Sequence, residues 1–286
     1  NRLKDPDMCQ LFAYSSLHPT TATAALAEFF GNSVDNPHGW GVAWYEGDEV
    51  RMVKEPMPAY RSTLVRHTLD EAIESTHILA HIRKATHGTC AYDNCHPFVQ
   101  TDSSETAWTM IHNGVIVNDA LLAGYDSWEV GETDSECVLM FLVDVIDEAM
   151  RRRGHELSFD EKFEVLGSAF DQLSNGNKLN LILDDGQTLF IHTNTLDTTL
   201  YASQNDDAAM FCTVPLTLGD WTPIPQRRLV AYRQGRLVRA SHVQHVHSFD
   251  SRTVRYLQLP EVDLPAAADS YASPALQGAK SVECRR

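Results

Sequence analysis

The sequence predicts an α+β domain, because strands and hairpins come first, two adjacent helices follow, and more strands close the chain. The regular strand–helix alternation of a doubly wound parallel sheet is absent. Capping residues and turn dipeptides set most of the predicted boundaries.

Residues 9–16 (CQLFAYSS) read as a short strand with Cys9 at its beginning, and 22–31 as a helix closed by Gly31. GWGVAWYEGDEVRMV predicts a hairpin, 42–45 with 49–53, turning at 46–48. A helix over 68–76 then leads into a strand over 77–83. Residues 107–117 predict two short strands broken at Asn113-Gly114, a dipeptide that favours hairpin turns. Thr133 and Glu136 have the capping-box spacing and open a helix in which Val138, Phe141, Leu142, Val145 and Ile146 recur on one face, with Gly154 just beyond its end. Ser158 and Glu161 repeat that signature before a second helix. Strands over 179–183, 189–192, 200–202 and 210–213 follow, then a hairpin over 229–239 turning at Gln234-Gly235. From 260 to 286 the chain is rich in Ala, Ser and Pro without periodicity, which predicts a draped or mobile tail.

Bulk composition narrows the function classes. At 286 residues the chain is long enough for a substantial core, and 43% hydrophobic with 22% charged residues is ordinary for a globular protein. Its 23 basic and 39 acidic residues give a net charge of -16, which disfavours a nucleic-acid partner, since neutralising phosphates needs a basic stripe. The densest basic run, 151–153, sits at the end of a predicted helix, where cations complement the dipole. No segment has the roughly 20 apolar residues of a membrane helix, so no membrane partner is expected. The first residues show no apolar core of a signal peptide. Six cysteines in so long a chain do not read as a disulfide framework. These points together predict a cytoplasmic protein.

Four features could carry chemistry: Cys9 behind Met8, the stretch HIRKATHG (81–88), the polar turn HNG (112–114), and Asp134 in the first turn of a capped helix. Each alone has a plainer reading, as core cysteine, solvated loop charge, hairpin turn and dipole-serving carboxylate. Taken in order, Met8-Cys9, Gly39-Trp40-Gly41, Arg83 to Gly88, His112-Asn113-Gly114 and the 133–136 segment resemble the glutaminase domain of class II glutamine amidotransferases, members of the N-terminal-nucleophile (Ntn) hydrolases. TVPLT (213–217) with Trp221 and Pro223 is similar to the stand-alone bacterial type, which extends the resemblance to about residue 258.

The resemblance implies a four-layer αββα sandwich of two stacked, mainly antiparallel sheets over 9–258, with an extension over 1–8 and a tail over 259–286. It implies Cys9 as nucleophile, with its own α-amine relaying the proton, and an oxyanion held by the Asn113 side chain and the Gly114 N–H. A free α-amine titrates at about 7.7–8.0 and a free thiol near 8.5, so no histidine base is needed. Recognition of a zwitterion needs one cation and one anion, and the resemblance assigns Arg83 to the α-carboxylate and Asp134 to the α-ammonium. Thr86 and His87 would line the same loop. Trp40 is either a wall of the pocket or an ordinary core tryptophan.

The family's chemistry wants Cys9 to be the first residue, yet eight residues precede it here. They are upstream or tag sequence before a start at Met8, a propeptide removed on maturation, or a permanent block. The expected activity is hydrolysis of glutamine or a small γ-glutamyl amide, with ammonia passing to a separate synthetase subunit or the amine simply released. A non-catalytic regulatory or ligand-binding protein on the same scaffold is the alternative. No cofactor is implied. His87, Cys90, Cys95 and His96 are too irregularly spaced for a zinc site, and Cys9 lacks the flanking pattern of a papain-like enzyme.

Overall fold

The computed structural model describes residues 9–85, 88–242 and 249–250. Its strands are β1 (Gln10–Thr21), β2 (Trp40–Glu46), β3 (Glu49–Glu55), β4 (Glu74–Ile82), β5 (Phe98–Thr101), β6 (Ala107–His112), β7 (Asn180–Asp184), β8 (Leu189–Thr193), β9 (Tyr201–Gln204), β10 (Ala208–Cys212), β11 (Thr222–Pro223), β12 (Arg228–Arg233) and β13 (Arg236–Ala240). The helices are α1 (Thr23–Gly31), α2 (Thr63–Asp70), α3 (Asp134–Arg153) and α4 (Phe159–Leu173). Among the described residues they build two antiparallel sheets, ordered β11-β9-β10-β1-β4-β2-β3 and β13-β12-β8-β7-β6-β5.

Side-chain alternation along the central strands generates the layers. In β1, Leu11 and Ala13 meet Leu79, Ile111, Ile182 and Ile191 between the two sheets. The intervening Phe12 and Tyr14 point the other way and pack with Leu26 and Phe29 of α1 and Val65 of α2. Leu181 and Leu183 of β7 likewise leave the inter-sheet layer to pack on Leu142 and Ile146 of α3 and Leu166 and Phe170 of α4. Both faces are covered over LFAY of β1 and LIL of β7, which is why these stretches read as unbroken apolar runs. The order helix, sheet, sheet, helix is the predicted αββα sandwich.

Polar ties cross the apolar interface between the sheets. His77 Nδ1 lies 2.9 Å from Asp184 Oδ1, joining β4 to β7 with both groups buried. The Tyr45 hydroxyl is within hydrogen-bond distance of Thr109 Oγ1 at 3.0 Å and of the Asp184 carbonyl at 3.0 Å. Each satisfies groups that burial would otherwise leave without water.

Several boundaries move. The first strand runs to Thr21, five residues beyond its expected end. Helix α2 occupies 63–70 rather than 68–76, because Ser62 caps it by accepting the Val65 N–H at 3.0 Å, and the chain leaves the helix at Ala72 with φ 54°. Asn113-Gly114 is no hairpin turn. The chain runs on, the Asn113 N–H donating to Asn180 O at 2.8 Å and Val115 bridging to Lys178. The Thr133–Glu136 capping box does not form either: Thr133 makes no side-chain cap bond, and the Glu136 carboxylate accepts the Val130 and Gly131 N–H groups instead. The Ser158–Glu161 box is present, and Gln234-Gly235 turns its hairpin with positive φ at both residues.

Candidate active site

Cys9 stands immediately before β1, on the side where β1 pairs with β4, so it faces the chain just past Ile82. Its Sγ is 3.2 Å from both the Lys84 carbonyl and the Lys84 N–H, the thiol donating to one and accepting from the other. From the second sheet, the Asn113 side-chain amide donates to the Cys9 carbonyl at 2.6 Å. The junction therefore collects the start of β1, the exit of β4 and the exit of β6, two adjacent ends in one sheet and one in the other.

Asn113 is 3% exposed, and the second hydrogen of its amide remains for another acceptor beside Cys9. The neighbouring Gly114 N–H has no hydrogen-bond partner among the described residues. Gly114 is required by close approach, since a Cβ there would lie 2.1 Å from Lys178 O and 2.1 Å from His112 Nε2. His112 is itself held, with Nδ1 3.0 Å from Ser135 Oγ at the start of α3.

Arg83 is 3% exposed and extends the edge that β4 begins. Its backbone N–H donates to Gly39 O at 2.8 Å, and its guanidinium Nη1 donates to Thr89 O at 2.8 Å. Gly39 has φ 143°, and a side chain there would strike Cys95 Sγ at 2.5 Å, which explains the first glycine of Gly-Trp-Gly. Trp40 belongs to the core: it is fully buried, edge-on to Phe30, with its indole N–H on Glu55 at 3.2 Å. Asp134 opens α3 half-buried, one oxygen accepting the Ile116 N–H at 3.1 Å and the other the Ser135 hydroxyl at 3.3 Å. Thr86, His87 and the 1–8 extension lie outside the described residues, as does the 259–286 tail.

Electrostatics link these groups to the thiol. Burial pushes the Cys9 thiol up; the Lys84 N–H, Arg83 and Lys178 pull it back, Asp134 adds to the rise, and the balance stays above the ordinary value. At neutral pH the sulfur is therefore protonated. His81, His96 and His112, all buried near the junction, are held neutral by burial first, with Arg83 adding to the effect on His81 and His96. None of the three is placed as a base on Cys9 by a hydrogen bond among the described residues.

Four neighbours carried no sequence signal of their own. Lys178, completely buried, acts on both Cys9 and His112. His38 accepts the Ala85 N–H at 2.9 Å and steadies the exit of β4. Asn94 and Glu132 tie two loops together. Periodicity cannot reveal such residues, because their meaning lies in contacts between distant segments. Among the described residues no group of His, Cys, Asp and Glu side chains is arranged to hold a metal ion, and no helix is long and apolar enough to cross a membrane.

A family model described as "Glutamine amidotransferases class-II" matches residues 8–202. "Putative glutamine amidotransferase YafJ" of Escherichia coli (strain K12) is 31% identical over 197 residues, which is 66% of this chain and 74% of that one. The crystal structure of a predicted glutamine amidotransferase from Pseudomonas aeruginosa PA01 superposes with a TM-score of 0.55 at 21% identity, covering 81% of this chain and all 100% of that one. The glutamine phosphoribosylpyrophosphate amidotransferase of B. subtilis superposes with a TM-score of 0.61 at 12% identity over 82% of this chain and 49% of that one. These two likenesses concern the fold alone.

Proposed function

The chain belongs to the class II glutamine amidotransferases and has their Ntn-hydrolase fold, and we propose that it hydrolyses the γ-amide of glutamine, or of a small γ-glutamyl conjugate, with Cys9 as the nucleophile. The observation that carries this reading is the junction at Cys9, where one residue's thiol is cradled by Lys84 and its carbonyl by Asn113. A cysteine serving only as core filler needs neither contact.

The reaction requires a chain whose first residue is Cys9. The α-amine takes the thiol proton, and the sulfur attacks the amide carbon to form a tetrahedral oxyanion. The Asn113 amide and the Gly114 N–H donate to that oxygen; removing one such donor elsewhere costs about 3–4 kcal/mol of transition-state stabilisation. The α-ammonium returns its proton to the leaving nitrogen as the C–N bond breaks, leaving a γ-glutamyl thioester. Water, deprotonated by the same amine, then opens the thioester to release glutamate and restore the thiol. Arg83 binds the substrate carboxylate and Asp134 its ammonium, with Thr86 and His87 as further substrate-binding residues. Ammonia passes to a separate synthetase subunit or leaves as product.

The test uses two forms, one keeping residues 1–8 and one beginning at Cys9. The second is expected to release ammonia from glutamine and to take up 6-diazo-5-oxonorleucine at Cys9, read by mass spectrometry, while the first does neither. Equal activity in both forms would remove the α-amine from the mechanism. No adduct in either would remove the glutaminase reading.

A further inference from the structure

We infer that Glu132 and Asn94 are positioning residues, holding the carboxylate-binding and ammonium-binding sides of the pocket at a set distance; this rests on the roles proposed above for Arg83 and Asp134. Those two side chains come from different segments, Arg83 from the exit of β4 and Asp134 from the head of α3. An amino-acid zwitterion has a short, fixed separation between its charges, so the two segments must be kept in register.

The register is made by one set of contacts. Thr89, whose carbonyl takes the Arg83 guanidinium at 2.8 Å, donates its N–H and its hydroxyl to Glu132 Oε2, both at 2.8 Å. The Asn94 amide donates to the same Oε2 and to Thr89 O, both at 3.0 Å, while its oxygen accepts the Glu132 N–H at 2.7 Å. Glu132 thus accepts three hydrogen bonds on one oxygen, two residues before Asp134. Asn94 is 1% exposed and forms the buried side of this contact, while Glu132 lies on its exposed side.

Two glycines let the segments close on this contact. A Cβ on Gly131 would lie 2.6 Å from Asn94 Oδ1, and one on Gly88, where φ is 73°, would lie 3.1 Å from Asn94 Nδ2 and 3.3 Å from Glu132 Cβ. Glu136 secures the far side by accepting the Val130 and Gly131 N–H groups, each at 2.9 Å. The contacts lead from the guanidinium through Thr89 and Glu132 into the backbone that delivers Asp134. Neither Glu132 nor Asn94 is placed on the reacting atoms.

The experiment compares two alkylating agents on Cys9 in the form that begins at that residue: iodoacetamide, which lacks an amino-acid group, and 6-diazo-5-oxonorleucine, which carries one. Glu132→Ala is expected to slow the diazoketone about tenfold while leaving iodoacetamide unchanged, and to raise KM for glutamine about tenfold with little change in kcat. Glu132→Gln, which keeps an acceptor oxygen, is expected to recover most of the loss. Equal slowing with both reagents, or no slowing with either, overturns the positioning role. If the parent chain itself escapes the diazoketone at Cys9, the glutaminase reading falls and this inference with it. If the parent reacts but the variants match it, only the inference falls.

Discussion

At the scale of single residues, Asn113 holds the Cys9 carbonyl with one hydrogen of its amide and keeps the other for a second acceptor. Asn113→Ala is expected to lower kcat by about 10²–10³-fold, in the range seen when an oxyanion donor is lost, with a smaller effect on KM. Steady-state kinetics on the form beginning at Cys9 checks this; a change confined to KM would move Asn113 out of the oxyanion site. Gly114 was legible in the sequence as a glycine but for the wrong reason. Its dipeptide suggested a turn, whereas Lys178 O and His112 Nε2 leave no room for a side chain. Trp40 shows the same ambiguity between motif and core, and burial against Phe30 decides it.

At the scale of elements, two helix starts carried one signature and behave differently. Ser158 accepts the Glu161 N–H while Glu161 accepts the Ser158 N–H, so both halves of the box exist. Thr133 has the same spacing to Glu136, but the loop before α3 takes Glu136 for its own N–H groups. The buried Thr133 hydroxyl is left with no partner among the described residues. Ser158→Ala is therefore expected to cost about 1 kcal/mol, whereas Thr133→Val is expected to be neutral or slightly stabilising. Urea unfolding of both variants against the parent checks the contrast. Helix α3 was legible because its apolar face and its end at Gly154, with φ 75°, are local properties. Helix α2 was displaced because its start depends on the Ser62 cap rather than on a periodic stripe.

At the scale of the whole molecule, the fold buries His77, His81, His96, His112 and His192 among the described residues, and that shapes the acid response. Burial, helped by Arg83, brings His81 down to about 3. In the unfolded chain the same ring takes its proton near pH 6.5, as an unperturbed imidazole does. Between those values the unfolded state binds the extra proton, so stability falls as pH drops through this window. His81→Gln is expected to lessen the acid-side decline by about 1.4 kcal/mol per pH unit at most, the weight of one proton. The midpoint of urea unfolding between pH 7 and 4.5 reads it, and an unchanged slope would mean that His81 does not titrate on unfolding.

By itself the sequence determined the α+β class, the two long helices, most strands and the family, since apolar period, capping residues and ordered motifs are written locally along the chain. Tertiary structure alone decided that Cys9 meets Lys84 and Asn113, that Lys178 is buried beside them, and that Asn94 and Glu132 join two loops. The reason is physical: a hydrogen bond between residues 38 or 104 positions apart leaves no periodic trace in either segment. It comes into being only when the sheets stack and the ends of their strands arrive at the same point.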